Sequence, residues 1–96
     1  MFRSVSNKGF QVTFENGWTV SVQFGSGNYC DARDYSLPFG AEQGKSEHEC
    51  KSAETAVWGP DGKFVQPLWH DQQNDDVQGW QSPADVLKLM AWAADK

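Results

Sequence analysis

The sequence predicts an α+β fold: an antiparallel sheet of two β-hairpins, with a possible short fifth strand, packed by one C-terminal helix. Three observations carry this reading. Apolar and polar residues alternate on both sides of Glu15-Asn16-Gly17 and again around Pro60-Asp61-Gly62, the period-two signature of strands with one buried face. From Ser82 onward a capping sequence leads into apolar residues at helical spacing. At 96 residues the chain has room for one hydrophobic core, so residues 1–96 are expected to form a single domain.

The first hairpin is predicted over residues 9–24. Phe10, Val12 and Phe14 alternate with Gln11, Thr13 and Glu15, and Trp18, Val20, Val22 and Phe24 alternate with Thr19, Ser21 and Gln23. A two-residue Asn16-Gly17 turn would set Phe14 opposite Thr19 and mix polar with apolar side chains on each face. A three-residue Glu15-Asn16-Gly17 loop instead pairs Phe14 with Trp18, Val12 with Val20 and Phe10 with Val22, because a slip of one residue turns a strand over. It also puts Gly17 at the left-handed position of a G1 bulge, where the missing Cβ removes the steric penalty.

Residues 25–52 follow as a long loop with little periodicity, and loops of this length are where function tends to sit. The second hairpin is predicted over residues 53–68, with Pro60 presetting φ and Gly62 taking the left-handed position. Trp58 then faces Phe64, and Val57 faces Val65. A polar loop covers 69–76, and residues 77–96 hold the short strand Val77-Gln78-Gly79-Trp80 and the helix. Ser82 is a good N-cap, Pro83 fits the first helical position, and Asp85 completes a capping box. Val86, Leu87, Leu89, Met90, Ala91, Ala93 and Ala94 are expected on one broad buried face, with Trp92 at its rim.

Composition limits the function classes. Thirteen acidic against eight basic residues give a formal charge of −5, the wrong sign for displacing counterions from a phosphate backbone, so direct nucleic-acid binding is not expected. A charge of this size is also what an ordinary small domain uses to stay dispersed. No segment approaches the roughly 20 apolar residues of a membrane span, and the N-terminal residues hold no apolar run of signal-peptide length. No membrane association and a cytoplasmic location are therefore expected, with Cys30 and Cys50 as thiols. A Cys30–Cys50 disulfide across the long loop is the alternative in an oxidising setting.

Candidate sites are few. Gly25-Ser26-Gly27-Asn28-Tyr29-Cys30 is a glycine-rich exit from the second strand whose amides could cradle an anion, although the helix start and Lys of a phosphate loop are missing. Asn28 and Tyr29 in that loop, together with Trp69, His70 and Asp71 ahead of the polar run, are the candidate binding residues. Trp69, Trp80 and Trp92 lie outside the strand alternation, where a Trp either covers the edge of the core or serves as an interface anchor. Cys30, His48, Cys50 and His70 are metal-capable, but His48 and Cys50 are spaced too closely for a typical zinc pair. A Cys30 nucleophile with His48 or His70 as base can be written down, yet it needs a convergence that sequence does not show. No cofactor motif is present.

The string from Phe14 to Gly25, continuing to Gly27-Asn28-Tyr29-Cys30, resembles the opening of a group of small uncharacterised proteins encoded by bacteriophages and prophages. Ala53-Glu54-Thr55-Ala56-Val57-Trp58 before Asp61-Gly62, and Val77-Gln78-Gly79-Trp80 before the helix, look similar to later parts of that group; residues 31–52 do not. The resemblance implies a small phage accessory protein of the kind that acts on host machinery or antiviral defence by binding, and it assigns no catalytic residue. Size, acidic charge, surplus Trp and the lack of a catalytic motif add the expectation of a non-enzymatic protein that inhibits or redirects a host protein in the bacterial cytoplasm. The alternatives are a sponge for a nucleotide signal held in the glycine-rich loop, and a metal- or thiol-dependent enzyme.

Overall fold

A computed structural model describes residues 1–6, 8–38 and 49–96. Among these, five strands form one antiparallel sheet in sequence order: β1 (Phe2–Ser4), β2 (Gly9–Thr13), β3 (Thr19–Gln23), β4 (Ala53–Trp58) and β5 (Gln78–Gln81). The helix α1 (Pro83–Ala94), the one helix among the described residues, packs on one face. The fold class is the one the alternation and the capping sequence predict. No described helix is long and apolar enough to cross a membrane.

The β2–β3 register is set by the three-residue turn. Phe10 lies opposite Val22 and Val12 opposite Val20, while the Phe14 amide donates to the Trp18 carbonyl at 2.9 Å. Gly17 has φ +85°, the left-handed angle that closes the bulge without a Cβ clash. One face of β2, β3 and β4 consequently carries Val12, Val20, Val22, Ala53 and Val57, all buried against Leu89 and Ala93 of the helix. Burying each Val or Leu side chain contributes about 1.5–3 kcal/mol.

Two elements differ from the sequence expectation. β1 is a strand that the pattern did not signal; it lies along the free edge of β2 with Phe2 opposite Val12 and Ser4 opposite Phe10. The second arm of the hairpin expected over 53–68 is reduced to one bridge, Trp58 to Phe64, plus the Val65 amide donating to the Val57 carbonyl at 3.0 Å. The turn itself is as expected, with Gly62 at φ +80°. The arm ends early because Pro67, two residues past Val65, has no N–H for a ladder. The rest of that edge of β4 goes to β5, with Thr55 opposite Gln78 and Ala53 opposite Gln81.

The helix begins as its capping sequence dictates. Asp85 N–H donates to Ser82 Oγ at 3.1 Å and Ser82 N–H donates to Asp85 Oδ2 at 2.9 Å, the reciprocal box that satisfies two end amides. Its buried face is narrower than expected. Leu89 and Ala93 are buried and Val86, Met90 and Trp92 half-buried, whereas Leu87 is 70% exposed and Ala91 and Ala94 face outward. A helix lying on one face of a sheet buries a single i, i+3, i+4, i+7 stripe, and with no second layer beyond it among the described residues the other apolar positions stay exposed.

Candidate functional site

Around β5 the chain folds into an arrangement that core formation does not require. Opposite Glu54, which lies between Ala53 and Thr55 of β4, strand β5 carries two residues, Gly79 and Trp80, in an irregularity of the ladder. This is a β-bulge, a device that re-aims a side chain. Trp80 adopts φ +53°, a left-handed angle that glycine normally takes and that costs other residues about 1–2 kcal/mol. The ring is 50% exposed and stacks on Tyr29, with centroids 5.7 Å apart and planes 17° from parallel.

Tyr29 is delivered by the glycine-rich loop. Asn28 N–H donates to the Gly25 carbonyl at 3.1 Å and its side-chain amide to the Phe24 carbonyl at 3.1 Å, so Asn28 is a buried structural residue. The Tyr29 amide donates to Glu54 Oε2 at 2.9 Å, the Cys30 amide to the Asn28 carbonyl at 2.9 Å and the Asp31 amide to Ser52 Oγ at 2.8 Å. The anion that this loop holds is therefore the protein's own Glu54 carboxylate. Burial pushes that carboxyl up from its ordinary value, opposed by the Tyr29 amide and the charges of Arg33 and Lys8.

Gly79 makes the contact between loop and strand possible. A Cβ there would lie 2.8 Å from Tyr29 Cβ and 3.2 Å from the Tyr29 carbonyl oxygen. The Trp80 amide donates to that same carbonyl at 2.9 Å, and the Gly79 amide to Gln72 Oε1 at 2.6 Å. Beyond Tyr29, Arg33 Nη1 ties down its loop through the carbonyls of Ser26, Asp34 and Leu37 at 2.7–3.3 Å. Its guanidinium lies 5.8 Å from the Tyr29 ring centroid and 4.9 Å from that of Tyr35. Trp80, Tyr29, Arg33 and Tyr35 thus form a continuous row, ending in a Tyr35 that is 72% exposed.

The five candidate binding residues fall into four places. Tyr29 is in the row and Asn28 lies beneath it. Asp71, which accepts from the Gln78 side chain, sits beside the row at the start of β5. Trp69 and His70 instead face the helix: the Trp69 ring meets Trp92 edge-on at 5.9 Å and lies under Lys88 Nζ at 4.4 Å. His70 is buried, with Nδ1 2.6 Å from Gln66 Oε1. Because Gln66 Nε2 donates to the Asp75 carbonyl, the oxygen faces the ring and Nδ1 carries the proton. His70 Nε2 is buried without a partner, and burial pulls the imidazole below its ordinary value. Arg33, Tyr35, Gln72 and Gly79 are the residues that sequence reasoning missed; the only local cue was the Tyr29, Arg33, Tyr35 spacing.

Of the metal-capable residues, His48 lies outside the described residues and His70 is held by Gln66. Cys30 and Cys50 do converge, with Asp31: the two sulfurs and a carboxylate oxygen lie within 4.8 Å of one another. Asp31 receives the amides of Lys51 and Ser52 and the Ser52 hydroxyl at 2.9–3.0 Å. These bonds, that from Lys51 first, hold its carboxyl below the usual range. The Cys30 thiol donates to the Gly25 carbonyl at 3.2 Å. Burial pushes the Cys50 thiol up, and Cys30 and Asp31 add to the effect.

A cavity of about 450 Å³ lies between the sheet and the first turn of α1, walled by Phe10, Val22, Phe24, Ala53 and Val86, with Cys50 on its lining. Comparison of the chain with protein-family models, with curated proteins and with solved structures gives no match.

Proposed function

We propose that this chain is a non-enzymatic binding protein, a phage accessory protein that inhibits or redirects a host protein, and that it docks through Trp80, Tyr29, Arg33 and Tyr35. The observation that supports this most is Trp80. A strained backbone angle is retained where something over-determines it, and such strain clusters at binding sites; here it holds a half-exposed indole in a stack on Tyr29. Trp, Tyr and Arg are also the side chains that most often dominate interface energetics. Net negative charge adds a long-range preference for a partner with a basic rim.

The test is affinity capture from host lysate with the wild-type chain and with Trp80→Gly and Tyr35→Ala. A stoichiometric partner bound by the wild type and lost by both variants supports the reading. Failure to recover any stoichiometric partner, or a partner indifferent to both substitutions, overturns it.

The cavity favours a second reading, sequestration of a small ligand. The amides of Asn28, Tyr29, Cys30 and Asp31 are spent inside the protein and are not offered to an anion, so the apolar space beside Cys50 is the better place for a small ligand. A thermal-shift panel of nucleotides and small apolar ligands decides this, because binding to the folded state alone raises the melting temperature with ligand concentration. A flat panel removes it.

A further inference from the structure

We propose that Cys30 and Cys50 are a modification site: they form a reversible intramolecular disulfide in exchange with a low-molecular-weight disulfide such as oxidised glutathione. The pair is preorganised by its neighbours. Each cysteine directly precedes one half of a hydrogen-bonded clasp, in which the Asp31 carboxylate receives the Lys51 and Ser52 amides while the Asp31 amide donates to Ser52 Oγ. This clasp brings residues 30–31 against residues 50–52 and leaves the two sulfurs within 4.8 Å. A disulfide needs about 2 Å, so the gap to close is no more than about 3 Å, within the sweep of one staggered side-chain rotation.

The surroundings favour a neutral pair over a metal-bound dithiolate. Cys30 is 1% exposed and its S–H donates a hydrogen bond to the Gly25 carbonyl oxygen, which would face a thiolate unfavourably. Asp31 already receives three donors, leaving about one of a carboxylate's roughly four acceptor positions. A disulfide carries no charge and leaves the three donors on Asp31 in place, giving up only the hydrogen bond from the Cys30 thiol to the Gly25 carbonyl.

The order of steps follows from exposure. Cys50, the more accessible of the two, attacks as thiolate one sulfur of oxidised glutathione and forms a mixed disulfide, releasing one glutathione thiolate. Cys30 then turns away from the Gly25 carbonyl, loses its proton to the released glutathione thiolate and attacks Cys50 Sγ, forming the internal bond and releasing the second glutathione. The protein loses two electrons and two protons; the small disulfide gains both and becomes two thiols. The product joins positions 30 and 50 covalently, one residue past Tyr29 of the row. This chemistry requires no partner and stands apart from the docking reading.

The experiment is equilibration of the full chain in glutathione redox buffers, acid quenching, and intact-mass and peptide-mass analysis, with Cys30→Ser, Cys50→Ser and Asp31→Asn alongside. The expected product is a Cys30–Cys50 linked peptide with loss of two hydrogens. Cys30→Ser should stall as a glutathione adduct on Cys50, and Asp31→Asn should need roughly tenfold more oxidising buffer for half-conversion, as expected for loss of a charge-assisted hydrogen bond. Circular dichroism of each variant separates misfolding from chemistry. Two free thiols at the oxidising end, glutathione adducts on both cysteines without a bridge, or thiols masked from alkylation until a chelator is added would each overturn the proposal.

Discussion

The side-chain amide of Asn16, in the first hairpin turn, donates to the Ala93 carbonyl at 2.9 Å and also reaches the carbonyls of Ala94 and Lys96. Its oxygen accepts from the Trp18 amide at 3.0 Å, so one residue closes the turn and caps the far end of the helix. Asn16→Asp keeps the acceptor for Trp18 but replaces the donor with a negative charge beside the negative end of the helix dipole. The expected loss at neutral pH is about 1–2 kcal/mol, read from urea melts. Protonating the new carboxyl in acid should recover part of it relative to wild type.

Substitutions at Trp80 test folding stability and the proposed docking separately. Trp80→Gly removes the left-handed strain together with the ring, so the expected change in folding stability is small, about 1 kcal/mol in either direction, as relief offsets the lost stack on Tyr29. Partner capture should be abolished all the same. Trp80→Ala keeps a Cβ at φ +53° and should be less stable than Trp80→Gly; chemical denaturation of the two variants checks the order.

The residues that could be read in advance were those whose structure is decided within a few positions. Parity around Gly17 and capping at Ser82 depend on immediate neighbours, and both hold in the structure. β1 could not be read, because three residues give no period and its pairing is dictated by the free edge of β2. Lys63 to Gln66 has strand character, yet the edge of β4 that it would occupy is shared with a segment much later in the chain. The row of rings was half legible: Tyr29 was visible as a loop aromatic. The angle at Trp80 and the closeness allowed by Gly79 arise only when two distant segments meet.

Gly79 tests that meeting point. A Cβ at 2.8 Å from Tyr29 Cβ forces the loop and β5 apart, so Gly79→Ala should cost about 1–3 kcal/mol. It should also weaken the hydrogen bond from the Trp80 amide to the Tyr29 carbonyl. Hydrogen exchange at the Trp80 amide should accelerate beyond the global loss of stability.

Glu54 gives a signed pH dependence. Its carboxyl is raised by burial above the ordinary 4.5, so between that value and the folded value the native state holds more protons than the unfolded one. Stability should fall as pH rises through this window and then level off. Glu54→Gln keeps an oxygen for the Tyr29 amide without a buried charge, so this contribution to the slope should vanish. Glu54→Ala leaves that amide unpaired and should cost about 1–3 kcal/mol. Urea midpoints measured from about pH 4 to pH 8 distinguish the two variants.

His70 should act in the opposite sense. Burial pulls its imidazole below 6.5, and the hydrogen bond to Gln66 assigns the proton to Nδ1, leaving Nε2 in a site with no partner to stabilise a second proton. Below 6.5 the unfolded chain takes up a proton that the native state refuses, so stability is present above that value and is lost as pH falls toward the folded value. His70→Phe removes the titrating group while filling most of its space, and should flatten this part of the profile at the expense of the Gln66 contact. Imidazole shifts followed by NMR should place the His70 titration below the ordinary histidine value; a midpoint at or above 6.5 would mean that charge from Asp71 and Asp85, not burial, governs the site.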